Sequence, residues 1–169
     1  LGAAMDAVRL VLKGHEPFPA IAIDRGWNMI MANDAISPFL EGIEDPELLA
    51  PPVNVLRLAL HPGGMAPRIE NLDQWRTHLL ERLRHQIEST ADATLDSLER
   101  ELSAYPGRRK GPPARFDPAS AAVAVPLRMR IGEAVLSFIS TTTVLGTPTD
   151  VTLSELAIES FFPEKRTPT

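Results

Sequence analysis

The longest regular pattern of hydrophobic positions runs through residues 69–105, where apolar side chains recur every three or four residues. That period places them on one face of an α-helix. Ser89, with Asp92 three residues further on, is typical of the start of a second helix. We therefore predict two helices that meet near these residues and end at Pro106. The apolar stripe consists of Ile69, Leu72, Trp75, Leu79, Leu83, Ile87, Ala91, Leu95, Leu98, Leu102 and Tyr105.

Two short apolar runs near the start of the chain predict a pair of β-strands. They span about residues 20–24 and 27–31, and a tight turn at Arg25-Gly26 joins them. The flanking segments predict helices. Residues 1–13 carry an apolar helical face that ends at Gly14, and a second helix begins after the second strand.

Three further strands are predicted in the last third of the chain. Residues 122–131 alternate between apolar and other side chains, and residues 134–144 are rich in β-branched residues. Gly132-Glu133 between them suits a two-residue hairpin turn of type II′. Residues 155–163 fit a last strand best, although a short helix is the alternative. Its alternate apolar sites are Leu156, Ile158 and Phe162.

The order of these elements predicts the fold class. Two strands come first, four or five helices follow, including a short one over residues 53–60, and three strands end the chain. Strands and helices that are segregated in this way, with antiparallel strands, are typical of an α+β fold.

Composition excludes several classes of function. The chain has 169 residues, which is the length of one domain, and a net charge of -5, which argues against direct binding of nucleic acid. It has no cysteine, so thiolate metal sites and a cysteine nucleophile are excluded. No apolar run is long enough to span a bilayer and no signal peptide is evident, so we expect a cytoplasmic protein and no membrane partner.

Candidate catalytic chemistry is equally sparse. His78 and His85 share a helix face, but no third ligand has the right spacing, and the segment lacks the His-Glu-x-x-His order of zinc hydrolases. The hydroxyls at residues 140–143 have no histidine or lysine near them in sequence to activate them. We therefore expect neither an enzyme nor a metal or other cofactor. The basic run at 108–110 is interpreted as a solvated loop.

Three long blocks of the sequence resemble a known family. They are PFPAIAIDRGWNMIMANDA, then NVLRLALHPGGMAPRIENLDQWRTHLLERLRHQ, then FISTTTVLGTPTDVTLSELAIESFFP. In this order they are similar to the ligand-binding domain of MmyB-like transcription regulators, bacterial proteins of the XRE helix-turn-helix class. The resemblance covers about residues 4–163.

The resemblance implies a PAS-like fold, in which a five-stranded antiparallel sheet has helices inserted between strands two and three. It also implies a DNA-binding helix-turn-helix domain in the parent protein, N-terminal to this chain. Residues 1–14 would then be the connecting helix, residues 15–163 the PAS-like domain and residues 164–169 a tail. Binding of DNA would belong to the absent domain alone.

The resemblance further implies a cavity for a small hydrophobic ligand, such as a fatty acid, whose carboxylate would need a positive partner. Arg57 is the first candidate because its neighbours in VNVLRLAL are apolar; the alternative is that it points to solvent. His61 follows one turn later and could add a donor, or it could simply face the helix dipole before Pro62.

The other candidate ligand-binding residues are aromatic, aliphatic or amide side chains. Asn33 comes directly after the second strand, where capping the next helix is the favoured role and contact with a ligand the alternative. Trp75 lies on the apolar stripe, so core packing and a place in the cavity wall are both compatible with it. Trp27, Phe39 and Leu60 are further candidates for the wall.

Two functional hypotheses follow. The first is a sensor domain, in which a bound apolar ligand changes the arrangement of the helix-turn-helix domain. The second is a dimerisation scaffold with a filled core and no ligand, since regulators that bind paired half-sites are commonly homodimers. The size of the internal cavity separates the two.

Overall fold

Five antiparallel strands form one sheet in the computed structural model, which describes residues 2–107, 124–144 and 156–164. The strands follow the order β2-β1-β5-β4-β3, so the first and last strands are central neighbours. This arrangement confirms the predicted PAS-like α+β fold. The strands are β1 Ala20–Ile23, β2 Met29–Ala32, β3 Leu127–Ile131, β4 Ala134–Val144 and β5 Ala157–Pro163.

Four of the five helices in the described residues lie between β2 and β3 in the chain, where the resemblance places them. Three short 3₁₀ turns, at Asp34–Ile36, Pro46–Leu49 and Ala66–Arg68, connect them. The helices are α1 Gly2–Gly14, α2 Ser37–Leu40, α3 Val55–Leu60, α4 Leu72–Thr90 and α5 Ala93–Ser103.

The long apolar stripe forms two helices as predicted, but the second helix has a different cap. Ala91 adopts a left-handed conformation (φ 52°) that ends α4, and the Asp92 side chain then accepts a hydrogen bond from the backbone N–H of Thr94. Ser89 is still inside α4, where its hydroxyl donates to the carbonyl of Gln86. The predicted cap at Ser89 is therefore wrong, because its hydroxyl finds a partner within the preceding turn.

The connection between β1 and β2 is longer than the predicted two-residue turn. The Asp24 carboxylate accepts hydrogen bonds from the backbone N–H groups of Gly26 and Asn28, at 2.8 and 2.9 Å. Trp27 takes a positive φ of 67° in this loop, and β2 begins only at Met29. The side chain of Asp24 thus replaces the turn that the sequence alone predicts.

Two predictions for the last third of the chain are confirmed, namely the hairpin between β3 and β4 and the final strand. β3 and β4 pair in register through Ile131 and Ala134, with Gly132 at a positive φ of 62° as the first central turn residue. The last segment is a strand rather than a helix. The basic run at 108–110, interpreted as a loop, lies outside the described residues, as do residues 122–123 of the strand predicted from residue 122. Residues 124–126 are described but are not in the strand, which begins at Leu127.

Helices cover the two faces of the sheet unequally. The larger core lies between the inner face of the sheet and helices α2 to α5, and it includes Ile21 and Ile23 of β1. On the outer face, Val8 and Leu12 of α1 pack against a smaller cluster that includes Ile158. The intervening alanines Ala20 and Ala22 also belong to that cluster. β1 is therefore buried on both faces, which explains its wholly apolar sequence.

Candidate functional site

A cavity of about 80 Å³ lies between the inner face of the sheet and helices α3 and α4. Its wall combines strand, loop and helix residues because the inserted helices fold back over β1 and β5. Among residues 2–107, 124–144 and 156–164, seventeen line the cavity and fifteen of these are hydrophobic. Representative wall residues are Ile21, Trp27, Phe39, Trp75, Leu79 and Phe161.

The two charged residues of the wall bind one another. Arg82 of α4 donates from Nη2 to Oε1 of Glu159 on β5, at 2.6 Å. The hydroxyl of Thr142, which pairs with Glu159 across β4 and β5, donates to the same oxygen at 2.7 Å and accepts from Arg82 Nη2 at 3.2 Å. The exposed fractions of the Arg82 and Glu159 side chains are only 28% and 6%. This is a sheltered ion pair at the one polar part of an apolar wall.

Trp27 holds α4 against the loop between β1 and β2. Its indole N–H donates to the side-chain oxygen of Gln86 at 2.6 Å, and Gln86 in turn donates to the carbonyl of Arg25 at 2.7 Å. The guanidinium carbon of Arg82 lies 4.9 Å from the Trp27 ring centre, a cation–π distance. Trp27, Arg82 and Gln86 also line a second, more polar cleft of about 180 Å³. Trp27 and Arg82 are therefore common to the walls of both spaces.

Three of the predicted site residues meet at the cavity. Trp27, Phe39 and Trp75 all line it. Phe39 also packs edge-to-face against Phe161, with ring centres 5.3 Å apart. Leu60 is buried in the main core and is not among the lining residues.

Arg57 and His61 lie elsewhere, at the junction of α3 and α5. Arg57 Nε donates to Oε2 of Glu101 at 2.7 Å, and the Arg57 side chain is 45% exposed. That hydrogen bond raises the pKa of Arg57 and lowers the pKa of Glu101. The His61 ring packs edge-on to Tyr105 at 5.0 Å, and its Nδ1 accepts from the N–H of Gly63 at 2.8 Å. Neither residue is among those lining the cavity.

The structure places Arg57 on the outer side of α3 because the helix buries its other residues. Leu56, Leu58, Ala59 and Leu60 are all buried, so the exposed position between them suits a charged side chain. The apolar neighbours that suggested an inward arginine instead belong to the buried side of a short helix.

Asn33 is buried, but its side chain does not cap the following 3₁₀ turn. Its amide group donates to the carbonyls of Leu12 and Phe18, at 2.9 and 2.8 Å, and its oxygen accepts from the N–H of Ala20 at 3.2 Å. The favoured capping role is therefore wrong. Asn33 instead ties the end of α1 to the start of β1, where three backbone groups need partners.

Arg82 and Glu159 were not among the candidate residues predicted from the sequence. Arg82 is seven residues after Trp75, so helical periodicity places it at the margin of the apolar stripe. Glu159 alternates with Ala157 and Phe161, and all three face the main core or the cavity. The apolar sites predicted for this strand belong to its other face. Because both faces of β5 are buried, strand alternation places Glu159 on the same inward face as Ala157 and Phe161. This alternation was the signal that could have revealed the glutamate.

Within residues 2–107, 124–144 and 156–164, no group of three His, Cys, Asp or Glu side chains could hold a metal ion. In the same ranges, every helix is too short or too polar to cross a membrane.

A PAS-like sheet roofed by helices around an apolar cavity defines a class of small α+β domains with an internal pocket. Residues 4–168 match the family described as the MmyB-like transcription regulator ligand binding domain. The chain belongs to this family, which is one of regulator domains and not of enzymes. No match was found among the curated proteins.

Proposed function

We propose that this chain is the sensor domain of a cytoplasmic transcription regulator and that a small apolar ligand occupies the cavity beneath α3 and α4. A single observation supports this proposal most strongly. In a domain of a ligand-binding family, the space between sheet and helices is walled almost wholly by hydrophobic side chains. Water finds few hydrogen-bond partners in such a space, whereas burial of an apolar ligand there is favourable.

The size of the cavity limits what can enter without movement of its wall. An engineered apolar cavity of about 150 Å³ accepts benzene, whereas the cavity here is about 80 Å³. A few carbon atoms would fill it, and each buried methylene would contribute about 0.8 kcal/mol. A fatty acid would have to displace wall side chains. Met29 and Met65 suit this because methionine is unbranched and adopts many rotamers.

The displacement of wall side chains by the ligand would be the conformational change that the sensor transmits. A ligand shifts a conformational equilibrium only if it binds one arrangement more tightly than the other. In our proposal the ligand-bound arrangement is the one with the wall moved outward. β1 contributes Ile21 to the cavity and is tied through Asn33 to the end of α1. The change would pass along α1 to a helix-turn-helix domain that binds DNA.

The proposal is tested by binding a series of linear alcohols, from butanol to decanol, to the purified domain. Native mass spectrometry and solvent extraction would first identify any co-purified lipid. We expect the midpoint of thermal unfolding to rise with alcohol length and then to level off when the wall can move no further. The absence of any saturable binding along the series would overturn the proposal.

A cavity-filling variant gives the control. Ala59 lines the cavity, so Ala59→Leu should occupy the space and weaken alcohol binding while the domain stays folded. Ala93 is exposed at the start of α5, and Ala93→Leu adds the same atoms away from the cavity. This second variant should bind the alcohols as the wild type does.

A second candidate function is the dimerisation scaffold, and one observation favours it. Leu10 and Val11 of α1 are 73% and 45% exposed, while Val8 and Leu12 of the same helix are buried against the sheet. α1 thus offers apolar side chains outward as well as inward. The small volume of the cavity also fits a domain whose core is nearly filled. A dimer and a sensor are compatible, because the exposed side of α1 and the cavity lie on opposite faces of the sheet.

A further inference from the structure

The charged part of the cavity wall carries no free charge to offer an ionised ligand. Arg82 and Glu159 neutralise each other at 2.6 Å, and the other lining residues in the part of the chain that the structure describes are hydrophobic. We propose that this pair makes the cavity select ligands with an uncharged hydrogen-bonding head group, such as an alcohol or an amide, over carboxylates of the same chain length. The inference rests on the proposed function and specifies its ligand class.

Glu159 occupies the position that a ligand carboxylate would otherwise take. Its Oε1 accepts from both the guanidinium of Arg82 and the hydroxyl of Thr142. The side chain is 6% exposed, and β1 and β4 flank its strand on either side. The sheet therefore presents this internal carboxylate to Arg82 in every molecule, without the ordering cost that binding an external one would carry.

An incoming carboxylate has two ways to meet Arg82, and both are costly. It can displace Glu159, which leaves a buried carboxylate without its cation. It can instead join the pair, which puts a second negative charge beside Glu159 in a poorly solvated wall. An alkylammonium head group would similarly place a second positive charge beside Arg82.

An uncharged head group avoids both costs. A guanidinium has five N–H donors, and both hydrogen bonds that Arg82 makes to Glu159 and Thr142 use Nη2. A hydroxyl oxygen or an amide carbonyl could accept from another N–H of Arg82, and the hydroxyl proton or an amide N–H could be donated to a Glu159 oxygen. The ion pair would stay intact, and the net charge of the site would not change.

The test compares hexanol, hexanamide and hexanoate at neutral pH by isothermal titration calorimetry. Hexanamide and hexanoate bury the same alkyl chain, so their difference reports the head group; hexanol buries one more methylene, worth about 0.8 kcal/mol or about fourfold in affinity. For the wild type we expect hexanol and hexanamide to bind at least about tenfold more tightly than hexanoate. Equal or tighter binding of hexanoate would overturn the inference and leave the proposed function standing. If none of the three binds, the proposed function fails first.

Two variants assign the selectivity to the pair. Glu159→Gln keeps the shape and the hydrogen-bond acceptor but frees the charge of Arg82, so hexanoate should bind about tenfold more tightly than to the wild type. The double variant Arg82→Gln, Glu159→Gln has neither charge and should show no such gain. If the single variant does not fold, the comparison of hexanamide with hexanoate on the wild type still tests the inference.

Glu101→Gln is the matched control. It frees Arg57, the arginine that sequence analysis proposed as the anchor, at a site outside the cavity wall. We expect hexanoate to bind this variant as weakly as it binds the wild type. A gain in hexanoate affinity for Glu101→Gln, with none for Glu159→Gln, would assign the anion site to Arg57 and overturn the inference.

Discussion

Arg68 illustrates how one side chain can secure a helix that is too short to be stable alone. Its Nη2 donates to the carbonyls of Pro38 and Phe39, both at 3.0 Å, and its Nη1 donates to the carbonyl of Glu41. These carbonyls belong to the end of the four-residue helix α2, where backbone acceptors lack helical partners. Burial lowers the pKa of Arg68.

We expect Arg68→Ala to lower the free energy of unfolding by about 2 kcal/mol or more, because the carbonyls lose charged donors. Arg68→Lys should recover little, since an ammonium group cannot reach all three carbonyls as the guanidinium does. Urea unfolding would measure both. Arg100→Ala is the control, because that arginine is 82% exposed and should matter by less than about 0.5 kcal/mol. A similar effect of both alanine variants would contradict the assigned role.

At the residue scale, the sequence predicts wall residues better than it predicts polar partners. Four apolar residues were candidates for the wall of the cavity that the family resemblance implies. Trp27, Phe39 and Trp75 line the cavity, whereas Leu60 is buried in the core instead. Arg82 and Glu159 are 77 positions apart in the chain, and their contact exists only once β5 lies beneath α4. Arg57 has apolar neighbours in sequence, yet its partner is 44 positions away on α5.

At the scale of elements, α3 and α5 are joined by a partly exposed ion pair whose contribution depends on pH. The hydrogen bond from Arg57 lowers the pKa of Glu101, and Tyr105 also donates to the same carboxylate. A carboxyl group whose pKa is lowered on folding stabilises the folded state above its unfolded pKa of about 4.3. That contribution is lost as the pH falls through the lower, folded pKa.

We therefore expect the wild type to be more stable than Glu101→Gln near neutral pH and this advantage to vanish on acidification below about pH 4. The difference should not exceed about 1 kcal/mol, because the two side chains are 45% and 38% exposed and solvent screens them. Urea unfolding of both proteins across this pH range would measure it. A difference that is constant with pH would show that the ionisation of Glu101 plays no part.

The elements themselves were largely predictable because their signals are local. The apolar stripe through α4 and α5 and the hairpin turn at Gly132 depend on neighbours within a few residues. The errors also have local causes. Asp24 supplies hydrogen bonds that lengthen the first hairpin loop, and Ser89 bonds back into its own helix. Side-chain hydrogen bonds of this kind compete with the backbone pattern on which prediction depends.

For the whole molecule, the exposed side of α1 is the feature that bears on assembly. Leu10 is 73% exposed and the adjacent Val11 is 45% exposed, so the two form an apolar patch on the outer side of a helix whose other side packs against the sheet. A second copy of the chain could cover it, and dimerisation through α1 would then place two connected DNA-binding domains side by side.

If α1 forms a dimer contact, Leu10→Glu should convert a dimeric wild type into a monomer, because the charge would be buried at the contact. Sedimentation velocity would measure the mass. Lys13→Glu, an exposed change on the same helix, is the control and should leave the mass unchanged. Binding of hexanol should be the same in both variants, since the cavity lies on the other face of the sheet. A wild-type monomer would exclude the scaffold function for this chain.

The sequence by itself determined the kinds of element and their order, because hydrophobic period and turn chemistry act over short distances along the chain. The family was indicated separately, by the three long blocks that resemble it. The tertiary structure alone decided which residues enclose the cavity and which charges face it. Those contacts depend on β1 and β5 becoming neighbours and on α4 crossing them, and no local pattern encodes the pairing of Arg82 with Glu159. Whether a charged side chain meets solvent, a ligand or another charge is set by what the fold brings within hydrogen-bond distance of it.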